Sequence, residues 1–393
     1  MKPNIIHSIV VCLAAFALPF MVACSSQEES LPEEISEAIL YLNIEPVGLT
    51  RAGTATLPDN EKMHSVRIIV LHNDGKVEHN RHFSLENALA EKTILLKVTP
   101  NEKKKIFLFA NEKSVSSVEG VTVEDENKTL TAFFNSYTEG MSGFEAAVNN
   151  LYFAPDYSVG SPIPMSSMYE IDFPGKGNFD GTFYVVRVAT KFTCRFKNFR
   201  SGAVTVNSIS VSDIANDSYL MAHKQNQTMQ FTEEGNSISD LFWIDWLKKV
   251  SDESQMYPED NKTLVEKRGW IMDYDIPGGA VQAPITQTDL NLSVPKATNT
   301  DVNQEQGILY TFYLPESKNL MKPDELYGEQ QYEMTLGLTD EHGEQKSFNF
   351  AFNNLKALFR NTNAVIDIIM YDREVVVDVI PYSEVILEPE FGL

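Results

Sequence analysis

Short runs of alternating apolar and polar residues, separated by turn residues, recur along most of the chain. A period of two places successive side chains on opposite faces of an extended strand, so that one face can be buried. Ser65–Leu71, the turn residues Asn73, Asp74 and Gly75, and Lys76–Phe83 together have the pattern of a β-hairpin. Many such strands with few helical stretches predict an all-β protein, in which two β-sandwich domains carry a few short helices.

Two features interrupt the strand pattern and suggest how the chain is divided. Helical spacing at Lys128–Thr138 and Phe144–Phe153 predicts two helices that cover a sheet. The glycine-rich stretch Pro174–Gly181 is typical of a linker or a long hairpin turn, and we place a domain boundary there. We predict a signal peptide at residues 1–23 and a leader with a first strand, Ala38–Ile44, at residues 24–51. An N-terminal sandwich follows at residues 52–178, and a C-terminal sandwich with a terminal strand at residues 179–393.

The first residues have the layout of an export signal. Lys2 precedes an apolar run at Ile5–Phe20, and the small residue Ala23 stands directly before Cys24. The run is too short to span a membrane comfortably, which favours a secretory signal peptide. A cysteine at the cut position is similar to a bacterial lipoprotein signal, in which Cys24 carries the lipid. We therefore expect an outer-membrane lipoprotein precursor, with an ordinary cleaved signal as the alternative.

Charge and cysteine content exclude several functions. The chain has 55 acidic and 32 basic residues, a formal net charge of −23, so it lacks the basic surface that binding to nucleic acid requires. Cys194 is the one cysteine beyond the predicted leader, so the mature chain cannot form an internal disulfide. Its place in an alternating strand predicts a buried, unreactive thiol.

No arrangement of residues predicts catalysis, a metal site or a cofactor. His79 and His82 lie three apart in a predicted strand and therefore face opposite ways. Catalytic and phosphate-binding motifs are absent from the sequence, which indicates that the protein is not an enzyme. Trp243 and Trp246 share one face of a predicted helix at Asp240–Val250. They either pack against a sheet or form an exposed patch for a ligand such as a glycan.

Four strings, in this order, resemble segments of the fimbrillin family, the stalk and accessory subunits of Bacteroidales pili. They are Val185–Phe192, Ile209–Ala215 with Ser218–Met221, Tyr310–Glu316 and Arg360–Thr362. The resemblance implies two transthyretin-like β-sandwich domains and a structural role in a surface fimbrium used for cell adhesion.

The resemblance also implies how such a subunit matures and assembles. An Arg-specific protease would cut between Arg51 and Ala52, in a glycine-flanked loop of the kind that proteases reach, and release the lipidated leader with its strand. Another subunit would then fill the vacated groove with its C-terminal strand, and this head-to-tail contact would propagate as a filament. The residues predicted to enter the groove are Val375, Val377, Val379, Val385, Leu387 and Phe391.

The implied partners are therefore other pilus subunits, the protease and, before cleavage, the outer membrane. Two alternatives stay open. One is a permanently anchored lipoprotein that binds glycan through Trp243 and Trp246. The other is a pilus anchor that keeps its lipid, or a tip adhesin that binds through the irregular region Ser212–Thr298.

Overall fold

The computed structural model describes residues 38–46, 57–121, 128–157, 160–222, 227–232, 235–239, 281–282, 284–318, 332–352, 355 and 357–380. Strands dominate these residues, which confirms the prediction of an all-β fold. Two short α-helices occur among the described residues, and neither is long or apolar enough to cross a membrane.

The first part of the chain forms a sandwich with a helical cover. Its strands are β1 (Ala38–Pro46), β2 (Met63–Leu71), β3 (Val77–Leu89), β4 (Lys92–Val98), β5 (Glu102–Ala110), β6 (Tyr152–Phe153), β7 (Met165–Phe173) and β8 (Gly177–Arg187). The helices α1 (Leu130–Asn135) and α2 (Phe144–Asn150) lie between β5 and β6, and short 3-10 helices occur at Asp59–Glu61 and Glu112–Ser114.

The sheet of this part runs in the order β3-β2-β5-β7-β8-β1-β4. β7 and β8 are joined by two residue pairs, Met165 with Arg187 and Ser166 with Val186. The sheet turns a corner at this narrow contact, because inward side chains of β2, β5 and β7 share one core with those of β8, β1 and β4. The result is a sandwich of the predicted kind.

The helices cover the outer face of β2 and β5, as the helical spacing predicts. Phe107 and Phe109 point away from the sandwich core and into a second cluster built around both helices. The ring of Phe109 lies 4.4 Å from that of Phe134, and Phe107 lies 5.1 Å from Phe144, centroid to centroid. The apolar runs Ile68–Leu71 of β2 and Ile106–Ala110 of β5 are therefore continuous because both faces of these strands are buried.

The second part of the chain forms another sandwich. Its strands are β9 (Thr190–Asn198), β10 (Val204–Ser212), β11 (Ile214–Ala215), β12 (Ser218–Tyr219), β13 (Gln227–Thr232), β14 (Gly235–Ser239), β15 (Val281–Gln282), β16 (Ile285–Gln287), β17 (Leu292–Val294), β18 (Ile308–Leu314), β19 (Ser317–Lys318), β20 (Glu333–Asp340), β21 (Gln345–Ala351), β22 (Ala357–Leu358), β23 (Thr362–Met370) and β24 (Val375–Ile380).

Two main sheets enclose the second core. One runs β16-β10-β20-β21, with β17 also paired to β10, and the other runs β18-β9-β23-β24. Their inward residues form a single buried cluster. The remaining short strands make small ladders, and the β13–β14 hairpin pairs with β7 of the first sandwich.

The passage between the sandwiches lies further along the chain than the predicted boundary at residue 178. β8 begins at Gly177 and pairs with β1 and β7, so the residues up to Arg187 belong to the first sandwich. Residues 174–176 of the glycine-rich stretch form the turn between β7 and β8, and the rest of it begins β8, with Gly177 at a φ of 144°. Linkers and hairpin turns use the same residue types, so the sequence pattern is compatible with either structure.

Cys194 lies in β9 and is completely buried in the second core, where burial raises the pKa of its thiol. A chain of residues 25–393, which lacks Cys24, therefore has one thiol. We expect this thiol to react with a maleimide only after denaturation, because the thiolate is the reactive species and here it is neither formed nor accessible. Rapid labelling of the native chain, followed by mass spectrometry, would contradict this expectation.

Candidate assembly site

The first strand of the chain occupies an inner position in a sheet. β1 runs parallel to β8, from the pair Ala38–Gly177 to the pair Pro46–Val185. On its other edge it runs antiparallel to β4, from Ala38–Val98 to Ile44–Lys92. Both edges of β1 are therefore hydrogen-bonded, and the ladder to β4 ends before Pro46, which has no N–H to donate.

Alternation in β1 places one set of side chains in the core. Ala38, Leu40, Leu42 and Ile44 are at most 1% exposed, whereas the residues between them are partly exposed. Burying one large aliphatic side chain contributes about 1.5–3 kcal/mol, so the three larger ones contribute roughly 5–9 kcal/mol before entropy costs. This contribution is similar to the net stability of a whole domain, about 5–15 kcal/mol.

A polar contact on the outer face fixes the register of three strands. The side-chain amide of Asn43 donates to Asp180 Oδ1 at 2.7 Å on β8. Asn43 Oδ1 in turn accepts from the hydroxyl of Thr93 at 2.7 Å on β4. A slip of β1 by one residue would break both bonds and turn its apolar face outwards.

β4 depends on β1 for its place in the sheet. It is the last strand of the order, and among the described strands its ladder partner is β1. Ile94, Leu96 and Val98 also pack into the core. Near the end of β4, the Nε2 of His79 lies 2.5 Å from the carbonyl oxygen of Lys97, and Thr99 donates from its N–H to Glu78 Oε1 at 2.6 Å. Loss of β1 would therefore leave a groove between β8 and β4, with unpaired backbone groups and apolar walls.

The covalent link between β1 and the rest of the chain passes from one layer of the sandwich to the other. β1 ends at Pro46, the description resumes at Leu57, and β2 belongs to the opposite layer. Arg51 and Ala52, the predicted cleavage pair, fall in this interval and lie outside the described residues, as does Cys24. A cut anywhere in the interval would leave β1 held by non-covalent contacts alone.

At the other end of the chain, β24 is an edge strand. It pairs with β23 from Val375–Met370 to Ile380–Val365. Val379 is 6% exposed, and Val375 and Val377 pack against the second core. These three predicted donor residues thus contribute to their own sandwich, and the other three, Val385, Leu387 and Phe391, lie outside the described residues.

The strings that carry the family resemblance meet in one buried network. The guanidinium of Arg360 donates to both carboxylate oxygens of Glu316, at 2.5 and 3.0 Å, and to the carbonyl oxygens of Tyr219 and Leu220 at 2.6 and 3.0 Å. The side-chain amide oxygen of the next residue, Asn361, accepts from Nη1 of Arg187, at 3.2 Å. Burial lowers the pKa of Arg187 to about 10, which still leaves it charged at neutral pH.

One group of potential metal ligands occurs among the described residues, and the histidine pattern at His79 and His82 did not indicate it. The group consists of His72, Glu78 and Glu102. The buried ammonium of Lys104 lies 2.6 Å from Oε2 of Glu78 and 2.6 Å from Oε1 of Glu102. This cation sits where a divalent ion would need to bind, so the group forms an internal ion-pair network.

The remaining predicted ligand residues, Trp243 and Trp246, lie outside the described residues. No known family profile matches the sequence, and no curated protein matches it.

Several solved structures are similar in fold. One is the C-terminally truncated tip fimbrial protein Mfa3 from Porphyromonas gingivalis, with 10% identity, a TM-score of 0.45 and coverage of 88% of this chain and 98% of that chain. Another is a fimbrial assembly protein from Parabacteroides distasonis ATCC 8503, with 11% identity, a TM-score of 0.43 and coverage of 88% of this chain and 97% of that chain. Both are fimbrial proteins by name.

Proposed function

We propose that this chain is a structural subunit of a surface pilus, exported as a lipoprotein and assembled by exchange of β1 for a strand of another subunit. The observation that carries the proposal is the position of β1. It is an inner strand with a fully apolar inward face, yet only the segment 47–56 ties it to the rest of the chain. An inner strand that one cut would leave held by non-covalent contacts alone can be replaced by another strand.

The released groove would select its occupant by its pattern of apolar side chains. A new strand must pair with β8 on one edge and with β4 on the other and place apolar side chains where Leu40, Leu42 and Ile44 were. The sequence after β24 offers Val385, Leu387 and Phe391 at alternate or near-alternate positions. Because Val375, Val377 and Val379 pack in their own sandwich, we assign the donor role to the residues after Ile380.

Cleavage alone would not empty the groove. β1 would remain hydrogen-bonded along both edges after the cut, so an incoming strand has to displace it step by step. Assembly would therefore be slower than cleavage, and the protein would pass through a cut but still monomeric state. Adhesion by the finished filament, the Arg-specific protease and the outer-membrane stage of the precursor are parts of the same proposal.

The test uses the unlipidated chain of residues 25–393 with an Arg-specific protease. We expect one early cut, with a new N-terminus at Ala52, followed by slower growth of oligomers in size-exclusion chromatography with light scattering. Arg51→Ala should prevent both events. A chain ending at Ile380 should be cut but stay monomeric, because it keeps its groove and lacks the donor.

Three outcomes would speak against the proposal. A chain that resists the protease at Arg51 would favour the permanently anchored lipoprotein or a pilus anchor. A chain that is cut, loses β1 and remains a folded monomer would show that the groove needs no donor. Oligomers that form equally well without residues 381–393 would exclude the assigned donor segment.

A further inference from the structure

A cavity of about 290 Å³ lies where the two sandwiches meet, and we refer to it as the junction cavity. Pro58, Asn60 and Tyr157 line it from the first sandwich, and Lys191, Gln287 and the β18 residues Tyr310–Tyr313 line it from the second. Its described lining residues do not belong to β1. The cavity is slightly below the range of about 300–1,000 Å³ that small-molecule sites usually occupy.

The charge in the junction cavity is already compensated. Glu61 is completely buried, and its Oε1 lies 3.0 Å from the ammonium of Lys191. The hydroxyl of Tyr313 donates to the same oxygen at 2.6 Å. These contacts hold the side chains of Lys191 and Tyr313 in place and leave little net charge to attract an ion. A charged ligand would also meet the field of a chain with a net charge of −23, which disfavours an anion.

The rest of the lining combines aromatic rings with amides and a hydroxyl. Tyr157, half-buried, donates its hydroxyl to the carbonyl oxygen of Val188, which fixes the position of its ring. Tyr310, also half-buried, donates to Gln287 Oε1 at 3.3 Å. The Nε2 of Gln287 donates to no residue that the structure describes, so it is available to a ligand. Aromatic faces bind apolar C–H surfaces, and the amide supplies a directed hydrogen bond.

We propose that the junction cavity binds one neutral pyranose ring, such as the terminal sugar of a glycan. A pyranose has a face of C–H groups that stacks on a tyrosine ring and a rim of hydroxyls that exchange hydrogen bonds with amides. It has no charge that would compete with the Lys191–Glu61 pair. The volume admits one ring. This site does not depend on strand exchange, and it would give a pilus subunit direct contact with a glycosylated surface.

The test uses ligand-observed saturation-transfer NMR on the chain of residues 25–393. The probes are the methyl glycosides of mannose, galactose, N-acetylglucosamine and fucose. At least one should bind with a Kd of about 1 mM, the affinity expected for a ligand of about twelve non-hydrogen atoms. Tyr310→Ala and Gln287→Ala should each weaken that binding about tenfold. Tyr310→Phe, which keeps the ring, should weaken it much less.

Two controls test whether the glycoside binds at the junction cavity. Ser347→Ala changes an exposed residue of β21 outside the cavity and should have no effect. The double variant Trp243→Ala/Trp246→Ala should also bind normally. Melting temperatures of all variants identify any loss of fold, and Gln287→Ala serves if Tyr310→Ala does not fold. Absence of binding by all four glycosides would overturn the proposal, and so would binding that survives both cavity variants or disappears in the tryptophan variant.

Discussion

A chain that starts at Ala52 and ends at Ile380 is expected not to fold alone, and to fold when a synthetic peptide of Ala38–Pro46 is added. Without β1 the groove loses the burial of Leu40, Leu42 and Ile44, worth roughly 5–9 kcal/mol. β4 also loses its ladder along one edge. A loss of this size is comparable to the whole free energy of unfolding of a domain, about 5–15 kcal/mol. Near-UV circular dichroism and thermal unfolding, with and without the peptide, measure the effect.

A matched peptide provides the control. Leu40→Asp with Leu42→Asp keeps the length and the backbone of the peptide but places two carboxylates against an apolar wall, so it should not restore folding. Ending the chain at Ile380 removes the proposed donor segment and so prevents other copies from supplying a strand. A stable monomer with native near-UV signals in the absence of any peptide would show that β1 is dispensable and would remove the physical basis for strand exchange.

Local sequence patterns predicted the elements themselves with fair accuracy. Ala38–Ile44 was expected as a strand, and β1 extends to Pro46. The hairpin of β2 and β3 and the two helices also lie where alternation and helical spacing place them, although α1 is shorter than predicted at both ends and α2 ends three residues earlier than predicted. These features depend on neighbours within one turn or one strand, and such information is present in a short window of sequence.

Long-range pairing could not be predicted in the same way. The parallel ladder between β1 and β8 joins segments at opposite ends of the first sandwich, and alternation says nothing about which strands become neighbours. The same applies to buried charges. Lys104, Glu61 and Arg187 are buried, and each has a partner from a remote part of the chain: Glu78 for Lys104, Lys191 for Glu61 and the carbonyl oxygen of Glu61 for Arg187. Their burial was therefore not visible in the sequence.

Residues from different family strings contact one another in the folded chain. Glu316 and Arg360 belong to different strings, and Tyr219 and Leu220 belong to a third. They meet because the short strands β12 and β19 lie close to the turn that precedes β23. Residues of these three strings thus form one buried ion pair with its hydrogen bonds.

Replacing Arg360 by methionine is expected to lower the free energy of unfolding by about 3–5 kcal/mol. Both partners of the Arg360–Glu316 pair are buried, with side-chain exposures of 0% and 3%, so the variant leaves an uncompensated carboxylate in the interior. Arg360→Lys should also be destabilising, because an ammonium cannot bond both carboxylate oxygens and two carbonyl oxygens in the same fixed geometry. Urea unfolding followed by circular dichroism measures the loss.

Two further variants separate the cost of the unpaired charge from the value of the pair. Arg360→Met combined with Glu316→Leu should recover much of the stability, since no charge then remains unpaired. Lys346→Met removes a cation whose side chain is 43% exposed and lies 3.3 Å from Asp340, and it should cost less than about 1 kcal/mol. If Arg360→Met proved as mild as Lys346→Met, the interior at the meeting point of the strings would have to be hydrated. If the double variant were less stable than Arg360→Met, the unpaired carboxylate of Glu316 would not be the source of the loss, and Glu316 would stabilise that region independently of the Arg360 side chain.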